Sequence, residues 1–327
     1  MTVHSLVPSR RTLHGAFSPD FAPVLTIQPG DSVIARTLDA QWSVRGFEDL
    51  GLPGDPQRRL YTDRDPERDT GHALCGPIAI EGAEPGMVLE VRIGEIVTGD
   101  YGWNFGSVRA NGINDRLGLE GETLRVTWDI DPAAGTATSA FGHRVRTAPF
   151  FGVMGMPPAV PGLHPTSPPR PTGGNIDCRE LVAGATLLLP VAVPGGLFSV
   201  GDGHARQGDG EVSTTAIECP IQAGMLTFFL RDDLPIATPL AWTPEAWIAF
   251  GFHPDLDEAA LIALNAMLDL MGREFGIERK VALSLASAVV DLRVTQIVNG
   301  VRGVHAMLRH DAFEVVPGAD KSEGAPA

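Results

Sequence analysis

Short apolar segments separated by glycine and proline dominate the chain up to about residue 240. In VLEVRI, for example, Leu89, Val91 and Ile93 share one face and Glu90 lies on the other. This two-residue period is typical of a β-strand with one face buried. The pattern predicts a β-rich structure with many turns over roughly the first three quarters of the sequence.

The pattern changes after this β-rich part. In DLDEAALIALNAMLDLMGREFG, apolar residues recur at helical spacing, at Leu261, Leu264, Leu268, Met271 and Phe275. Acidic residues in the first turn and Gly276 at the end are helix start and stop signals. ERKVALSLASAVVD predicts a second helix, and LRVTQIVNG and VHAMLRHDAFEVV return to strand patterns.

Helices gathered late in a β-rich chain predict an α+β fold rather than a doubly wound α/β fold. We expect sandwich- or barrel-like β units with a smaller helix-containing C-terminal part. The length of 327 residues favours two units, a β-rich one over residues 1–150 and a second over residues 151–327. Residues 152–181 form a long irregular stretch, which indicates a binding loop or lid, or alternatively a plain linker.

Composition narrows the classes of function. The formal net charge of −15 and the absence of a Lys/Arg cluster argue against a nucleic-acid partner. The most apolar stretch is short and broken by Pro190 and Pro194, so no membrane span is predicted. The sequence starts without a signal-like apolar stretch, and Cys75, Cys178 and Cys219 have no CxxC spacing. We therefore expect reduced thiols and a cytoplasmic protein.

The segment SVGDGHARQGDGEV, residues 199–212, combines four glycines with three carboxylates and one histidine. It is a poor phosphate cradle because it offers acids and no lysine. On an extended backbone Asp202 and His204 project from the same face, which suits a divalent metal such as zinc. Asp209 and Glu211 are candidates for further ligands or for a general base. The alternative is a glycine-rich hairpin with solvated acids, where His204 would contribute little to core packing.

Glu218 raises a geometric difficulty. It shares a face with small residues in EVSTTAIEC, which indicates partial burial. Seven residues of straight strand, at about 3.3 Å each, would nevertheless place it roughly 23 Å from Glu211. Glu218 reaches the site only if the strand curves or the intervening loop is wide; otherwise it is a surface acid at a strand end.

Several segments resemble the acetamidase/formamidase family of amidases, which act on short aliphatic amides and in some members on lactams. These segments are PFFGVMGMPPAVPG, GGNID, TLLLPVAVPGGLFSVGDGHARQGDGEVSTTAIE, GHALCGPIAIEGAEPGMVLEVRI and DLRVTQIVNG, and together they cover most of the chain. The resemblance implies a β-rich, oligomeric, metal-dependent amidase. The positions that match its motifs are His72, Asn175, Asp177, Asp202, His204, Asp209, Glu211 and Glu218.

On this resemblance we assign Asp202, His204 and His72 to the metal. Asn175 and Asp177 are assigned to substrate binding, and Glu218, Glu211 and Asp209 to proton transfer. Three features depart from the family pattern: Ser213 stands where many members have cysteine, Asp39 lies in a shortened acidic segment, and YGWNFGSVRANGINDRLG is interpreted as particular to this subgroup.

The predicted reaction is hydrolysis of the C–N bond of a small neutral amide by a metal-activated water, with a carboxylate moving the proton. Zinc is the first choice because of the imidazole, with calcium or manganese as alternatives. Two other hypotheses remain: an amidase that uses Ser213 or Cys219 as nucleophile, and a metal- or ligand-binding β protein without turnover.

Overall fold

The computed structural model describes residues 1–44, 60–107, 112–119 and 121–314. The first strands of these ranges are β1 (Val3–Leu6), β2 (Leu13–His14), β3 (Ala16–Phe17), β4 (Leu25–Ile27), β5 (Ser32–Thr37), β6 (Leu74–Ile80), β7 (Val88–Thr98), β8 (Tyr101–Ser107), β9 (Leu124–Asp131), β10 (Thr136–Ser139) and β11 (Arg144–Arg146). The later strands are β12 (Phe150–Gly155), β13 (His164–Pro165), β14 (Gly173–Asn175), β15 (Thr186–Pro190), β16 (Phe198–Arg206), β17 (Ile217–Glu218), β18 (Ile221–Arg231), β19 (Leu240–Trp242), β20 (Ala246–His253), β21 (Val290–Asn299) and β22 (Val301–Arg309). The helices are α1 (Gly112–Arg116), α2 (Leu256–Phe275) and α3 (Arg279–Val289). The β-rich α+β prediction is confirmed.

Two large sheets contain most of the strands. One has the order β1-β5-β18-β7-β15-β19-β20-β22-β21, and the other has the order β11-β10-β9-β8-β17-β16-β12-β14, with β6 joining β2 and β4 to β16. Strands from both halves of the sequence pair in each sheet, for example β5 with β18 and β6 with β16. The division into units 1–150 and 151–327 therefore stays a prediction.

The two sheets pack on each other through large apolar side chains. Phe198 of β16 and Phe228 of β18 meet edge to face with ring centroids 5.1 Å apart, and both are fully buried. The ring of Phe151 on β12 fills the space left by the missing side chain of Gly224 on β18. Aromatic pairs of this geometry add to the burial energy of the core, which holds the strands of the second sheet in fixed positions.

Helix α2 covers the outer face of the first sheet. Asp255 caps its N-terminus, and Gly276 ends it in the left-handed conformation, as the sequence predicts. The helix approaches β20 so closely that a Cβ at Gly251 would lie 2.0 Å from the Ala259 carbonyl oxygen. The buried side chains of α2 include the small Ala259 and Ala263 and the flexible Met267. Leu261, which the sequence pattern placed on the apolar face, is instead 58% exposed.

The second predicted helix corresponds to α3, and the two strands after it form the antiparallel hairpin β21–β22. None of the helices in the described ranges combines the length and apolarity needed to span a bilayer. The three cysteines are free, as predicted, and all three are buried. The sequence's C-terminal tail, residues 317–327, and residues 108–111 of the segment YGWNFGSVRANGINDRLG lie outside the described residues.

The glycine-rich segment differs from the hairpin interpretation. Its first half, through Arg206, is a buried strand, because β16 pairs with β12 on one side and with β6 and β17 on the other. The expectation that His204 contributes little to packing is therefore wrong. STTAIEC is also not a continuous strand: only Ile217 and Glu218 pair, after a wide turn.

A buried histidine near this strand makes the stability depend on pH. His14 is held between the Ala16 carbonyl at 2.7 Å and the Ser199 hydroxyl at 3.0 Å, and burial lowers its pKa from 6.5 to about 4. The unfolded chain therefore binds the proton more tightly, and the free energy of unfolding should fall by about 3 kcal/mol as pH drops from 6.5 to 4. Denaturant unfolding at both pH values should show a smaller drop for His14→Gln; an equal drop would contradict this assignment.

Candidate active site

His204 lies at the centre of a buried polar cluster on β16. Its register partner on β17 is Glu218, and its Nε2 atom lies 3.4 Å from Glu218 Oε2 and 3.5 Å from Asp202 Oδ1. All three side chains are buried. The predicted proximity of Asp202 and His204 is confirmed, and Glu218 reaches them because residues 207–216 form the wide loop that the straight-strand distance required.

A second pair of carboxylates approaches the same imidazole. Ligand atoms of Asp177, His204 and Glu211 lie within 4.8 Å of one another, as do those of Asp202, His204 and Glu218. Asp177, Asp202 and Glu211 have positive φ angles of 54°, 57° and 45°. A non-glycine residue in this region is strained, and such strain concentrates at functional sites.

The hydrogen bonds of the cluster are incomplete. Both ring nitrogens of His204 are buried without a hydrogen-bond partner, and so are Asp177 Oδ1, Glu211 Oε2 and Glu218 Oε2. Buried polar atoms are normally satisfied, so this concentration of unpaired atoms forms a group that is able to bind a cation. One imidazole and several carboxylate oxygens are a donor set that fits zinc or a related divalent ion.

Burial and mutual repulsion control the charges of the cluster. Burial raises the pKa of Glu211 and of Glu218 to about 8, and it raises the pKa of Asp177 well above its usual value. Burial alone would lower the pKa of His204, but the Glu218 and Asp202 carboxylates raise it well above the usual value. A divalent cation would relieve the same repulsion that a proton relieves here.

The cluster opens into a cavity of about 300 Å³. Its lining includes Asp202, Glu211 and Glu218 together with the predicted His72 and Asn175. This volume lies at the lower end of the usual range for ligand sites, about 300–1,000 Å³, and therefore favours a small molecule.

Two of the predicted residues form the cavity wall beside Thr166 and Ser167. His72 Nδ1 lies 2.8 Å from the Thr166 hydroxyl, and the Asn175 amide donates to the Ser167 carbonyl at 3.1 Å. Asn175 Oδ1 remains buried without a partner. The irregular stretch after β12 thus supplies the site with residues, as the binding-loop interpretation requires.

The structure separates Asp209 from the other predicted acids. Its carboxylate is paired with Arg293 at 2.5 Å, and it is not among the residues lining the 300 Å³ cavity. A catalytic role for Asp209 stays a prediction without support from its position. The sequence placed it two residues from Glu211, but the turn sends the two side chains in different directions.

Sequence reasoning missed the aromatic wall of the cavity. Trp103 lines the cavity beside the polar cluster, as the register partner of Glu218 on β8, and its indole N–H donates to Asp39 Oδ2 at 2.9 Å. Asp39 is fully buried and also accepts hydrogen bonds from the backbone N–H groups of Gln41 and Ser43. The single acid of the shortened segment therefore positions a wall residue, and no local sequence signal shows that contact.

Neither of the alternative nucleophiles, Cys219 and Ser213, is in a position that favours attack on a substrate. Cys219 is fully buried, and burial raises the pKa of its thiol well above the usual value, which disfavours the thiolate. Ser213 lies on a neighbouring cavity, where its hydroxyl donates to the Thr215 carbonyl at 3.3 Å. The geometry favours a role for the His204 cluster itself.

Gly152 on β12 is a second residue that sequence reasoning missed. A Cβ there would lie 2.7 Å from Asp202 Oδ2, 2.7 Å from His204 Cε1 and 2.8 Å from Asp177 Oδ1. The missing side chain therefore makes the room that the cluster occupies.

On the amidase reaction predicted from the sequence, we expect Gly152→Ala to reduce bound metal and to lower amide turnover by about 100-fold, because displacing reacting groups by about 1 Å costs this much. Gly208→Ala is the matched control, since a Cβ there meets no atom within 4 Å. Equal metal content and turnover in the two variants would show that Gly152 has no such role.

Comparison with known proteins adds the family context. The model of the Acetamidase/Formamidase family matches residues 3–164 and 161–314. A putative formamidase of Schizosaccharomyces pombe is 35% identical to this chain, and the match covers 74% of this chain and 73% of that protein. The formamidase of Methylophilus methylotrophus is 27% identical over 62% of this chain, and the match spans only 60% of that protein.

A solved structure resembles the whole fold. The acetamidase of Bacillus halodurans superimposes with a TM-score of 0.78 and 26% identity, covering 93% of this chain and 97% of its own. The described architecture, including the sheet that carries the His204 cluster, is thus similar over nearly the full length of both chains.

Proposed function

The chain belongs to the acetamidase/formamidase family, and from this premise we propose that it hydrolyses the C–N bond of small aliphatic amides. The observation that carries the proposal is the buried cluster of one imidazole and four carboxylates at the base of a small cavity. The relatives named formamidase and acetamidase support the same substrate class.

The proposal includes a divalent metal, with zinc as first choice and manganese or calcium as alternatives. Asp202 and His204 would hold it, since His204 Nε2 lies 3.5 Å from Asp202 Oδ1 and has no hydrogen-bond partner. An ion bound there would supply Lewis acidity toward the amide carbonyl and would lower the pKa of a water molecule. His72 stands at the cavity wall and completes the predicted metal set as a neighbour of Asp202.

We assign proton transfer to a carboxylate of the cluster. Glu218 lies at the cavity with its Oε1 fixed by the Ala216 backbone N–H at 3.0 Å, so its free Oε2 is the atom that would accept a proton from water and pass it to the leaving amine. Glu211 is the second candidate, held beside Asp177. A positioned general base contributes about 10²–10⁴ to the rate.

Substrate binding is assigned to Asn175 and Asp177. The free Asn175 Oδ1 at the cavity wall suits an amide N–H, which is the donor that distinguishes an amide from an ester. Asp177 is tied to Asn299 through its Oδ2 at 2.7 Å and would act through the shape of the site. Trp103 and Phe105 line the same cavity of about 300 Å³, a volume that would favour a short acyl group.

We extend the proposal to a cytoplasmic homo-oligomer. Three buried free cysteines fit a reducing compartment. Leu261 on α2 and Val281 and Leu283 on α3 are at least half exposed, which supports contact with another subunit over the helix layer. Light scattering on the purified protein measures its molar mass. A mass of two or more chains would support the homo-oligomer, and the mass of one chain would contradict it.

The experiment that tests the function is incubation with formamide, acetamide, a long-chain amide and a lactam, with detection of released ammonia or of the new amine. We expect turnover of the short amides and little of the long-chain amide because of the cavity volume. His204→Gln, prepared identically, controls for a contaminating amidase. Metal binding without turnover of any amide would support the alternative, a β protein that binds metal or a ligand.

A further inference from the structure

A second group of metal-binding side chains lies outside the His204 cluster. Ligand atoms of Cys178, Glu180 and His305 all lie within 4.8 Å of one another. Cys178 Sγ is 3.2 Å from Glu180 Oε2, and His305 Nε2 is 3.6 Å from the same oxygen. The cysteine and the histidine are fully buried, and Glu180 is only slightly exposed.

The imidazole of His305 is oriented as a ligand. Its Nδ1 lies 2.8 Å from the Thr295 hydroxyl, whereas its Nε2 is buried and has no hydrogen-bond partner. A hydrogen bond from Nδ1–H leaves the Nε2 lone pair directed at Cys178 and Glu180. Metal-bound histidines are typically held in this way through the nitrogen that does not bind the ion.

We propose that Cys178, Glu180 and His305 form a second metal site, separate from the amidase centre, for zinc or another thiolate-binding divalent ion. Sulfur, imidazole nitrogen and carboxylate oxygen together are a donor set of zinc. The Cys178 proton is released to solvent as the sulfur–metal bond forms, so binding converts one thiol and one free ion into one thiolate complex and one proton.

The charges around the group partly offset such an ion. Glu180 pairs with Arg293 at 2.7 Å and with Arg179 at 3.6 Å, and Arg293 also pairs with Asp209. Two arginines and two carboxylates therefore cancel, and the Cys178 thiolate would partly neutralise the added ion. This also explains why Asp209 lies away from the cavity.

The position of this group indicates a structural role. Cys178 and Glu180 follow Asp177 in the chain, and His305 belongs to β22. Arg293 on β21 links the group to Asp209, and Gly210 is hydrogen-bonded to Thr295. An ion here would join the segment after Asp177, the loop before Glu211 and the β21–β22 hairpin into one unit.

The test is titration of Co²⁺ into metal-free protein, read by near-ultraviolet thiolate-to-cobalt charge-transfer absorption. We expect the band in the wild type and its loss in Cys178→Ser. Cys75→Ser and Cys219→Ser are matched controls that keep it, and Cys219→Ser also tests the thiol next to Glu218. No band in the wild type, or a band that survives Cys178→Ser, would overturn the proposal.

Two further variants keep the proposal testable if Cys178→Ser fails to fold. They also separate this site from the amidase centre. His204→Ala should keep the thiolate band, and His305→Gln should weaken Co²⁺ affinity at least tenfold. Loss of the band in His204→Ala with normal folding would place the sulfur ligand in the amidase centre and overturn a separate site. An unchanged affinity in His305→Gln would equally contradict the assignment. Neither readout requires amide turnover.

Discussion

His204→Ala should lower the turnover of short amides by about a thousandfold or more. His204 is the one residue shared by both groups of ligand atoms in the cluster, so its loss removes the imidazole from either position of the ion. Lewis-acid stabilisation is worth several kcal/mol, and each 1.36 kcal/mol corresponds to a factor of ten in rate. Steady-state kinetics together with the metal content of the purified variant measures this effect.

The stability of the same variant must be measured separately. His204 is fully buried, and its ring meets Phe150 edge to face at 4.9 Å, so alanine leaves a cavity in the sheet. Unfolding midpoints in the presence of chelator separate this packing loss from the stability lost with the metal. His143→Ala, at an exposed turn, is the control for histidine removal. Turnover within a few-fold of the wild type in folded His204→Ala would remove His204 from the reaction.

Glu218→Gln should lower kcat by about 10²–10⁴ while the protein keeps its metal. The amide retains the shape of the side chain but cannot accept the proton, and this is the range expected for loss of a general base. Glu218 is ahead of Glu211 because it is the register partner of His204 and its Oε2 is unpaired beside the imidazole. A bound cation would also lower the raised pKa of this carboxyl toward the value a base needs.

Glu211→Gln is the matched comparison, and the metal content of both variants distinguishes the outcomes. Loss of the ion in Glu218→Gln would make Glu218 a metal ligand and transfer the base role to Glu211. A normal rate with normal metal content in Glu218→Gln would remove Glu218 from the chemistry. A larger loss of kcat in Glu211→Gln, with metal retained in both variants, would reverse the assignment.

The sequence was sufficient for features that depend on neighbouring residues. Helix α2 with its Gly276 stop follows from local period and capping, and the proximity of Asp202 and His204 was predicted from their two-residue spacing, although Asp202 has a positive φ of 57° within the strand. The hairpin interpretation of the glycine-rich segment was wrong because glycine content favours turns only when no neighbouring strands pair with the backbone. Here β6, β12 and β17 all pair with β16.

Contacts between segments far apart in the chain could not be predicted from the sequence. Asp177 and Glu211 approach His204 through two separate turns, and Gly152 makes room for them from a neighbouring strand. The contact of Asp39 with Trp103 joins residues 64 positions apart. Residue types alone also grouped Asp209 with Glu211, whereas the fold pairs it with Arg293 on β21. Such separations depend on sheet order, which no local pattern encodes.

The central claim is that amide hydrolysis depends on a divalent ion held by the His204 cluster. The most direct measurement is acetamide or formamide turnover in chelated protein of known metal content, followed by stepwise addition of zinc, manganese or calcium. Performing it in Cys178→Ser as well as in the wild type excludes effects of the proposed second site. We expect turnover to be lost with the metal and to recover in proportion to the ion bound at the cluster. Full turnover in protein shown by elemental analysis to be metal-free would contradict it.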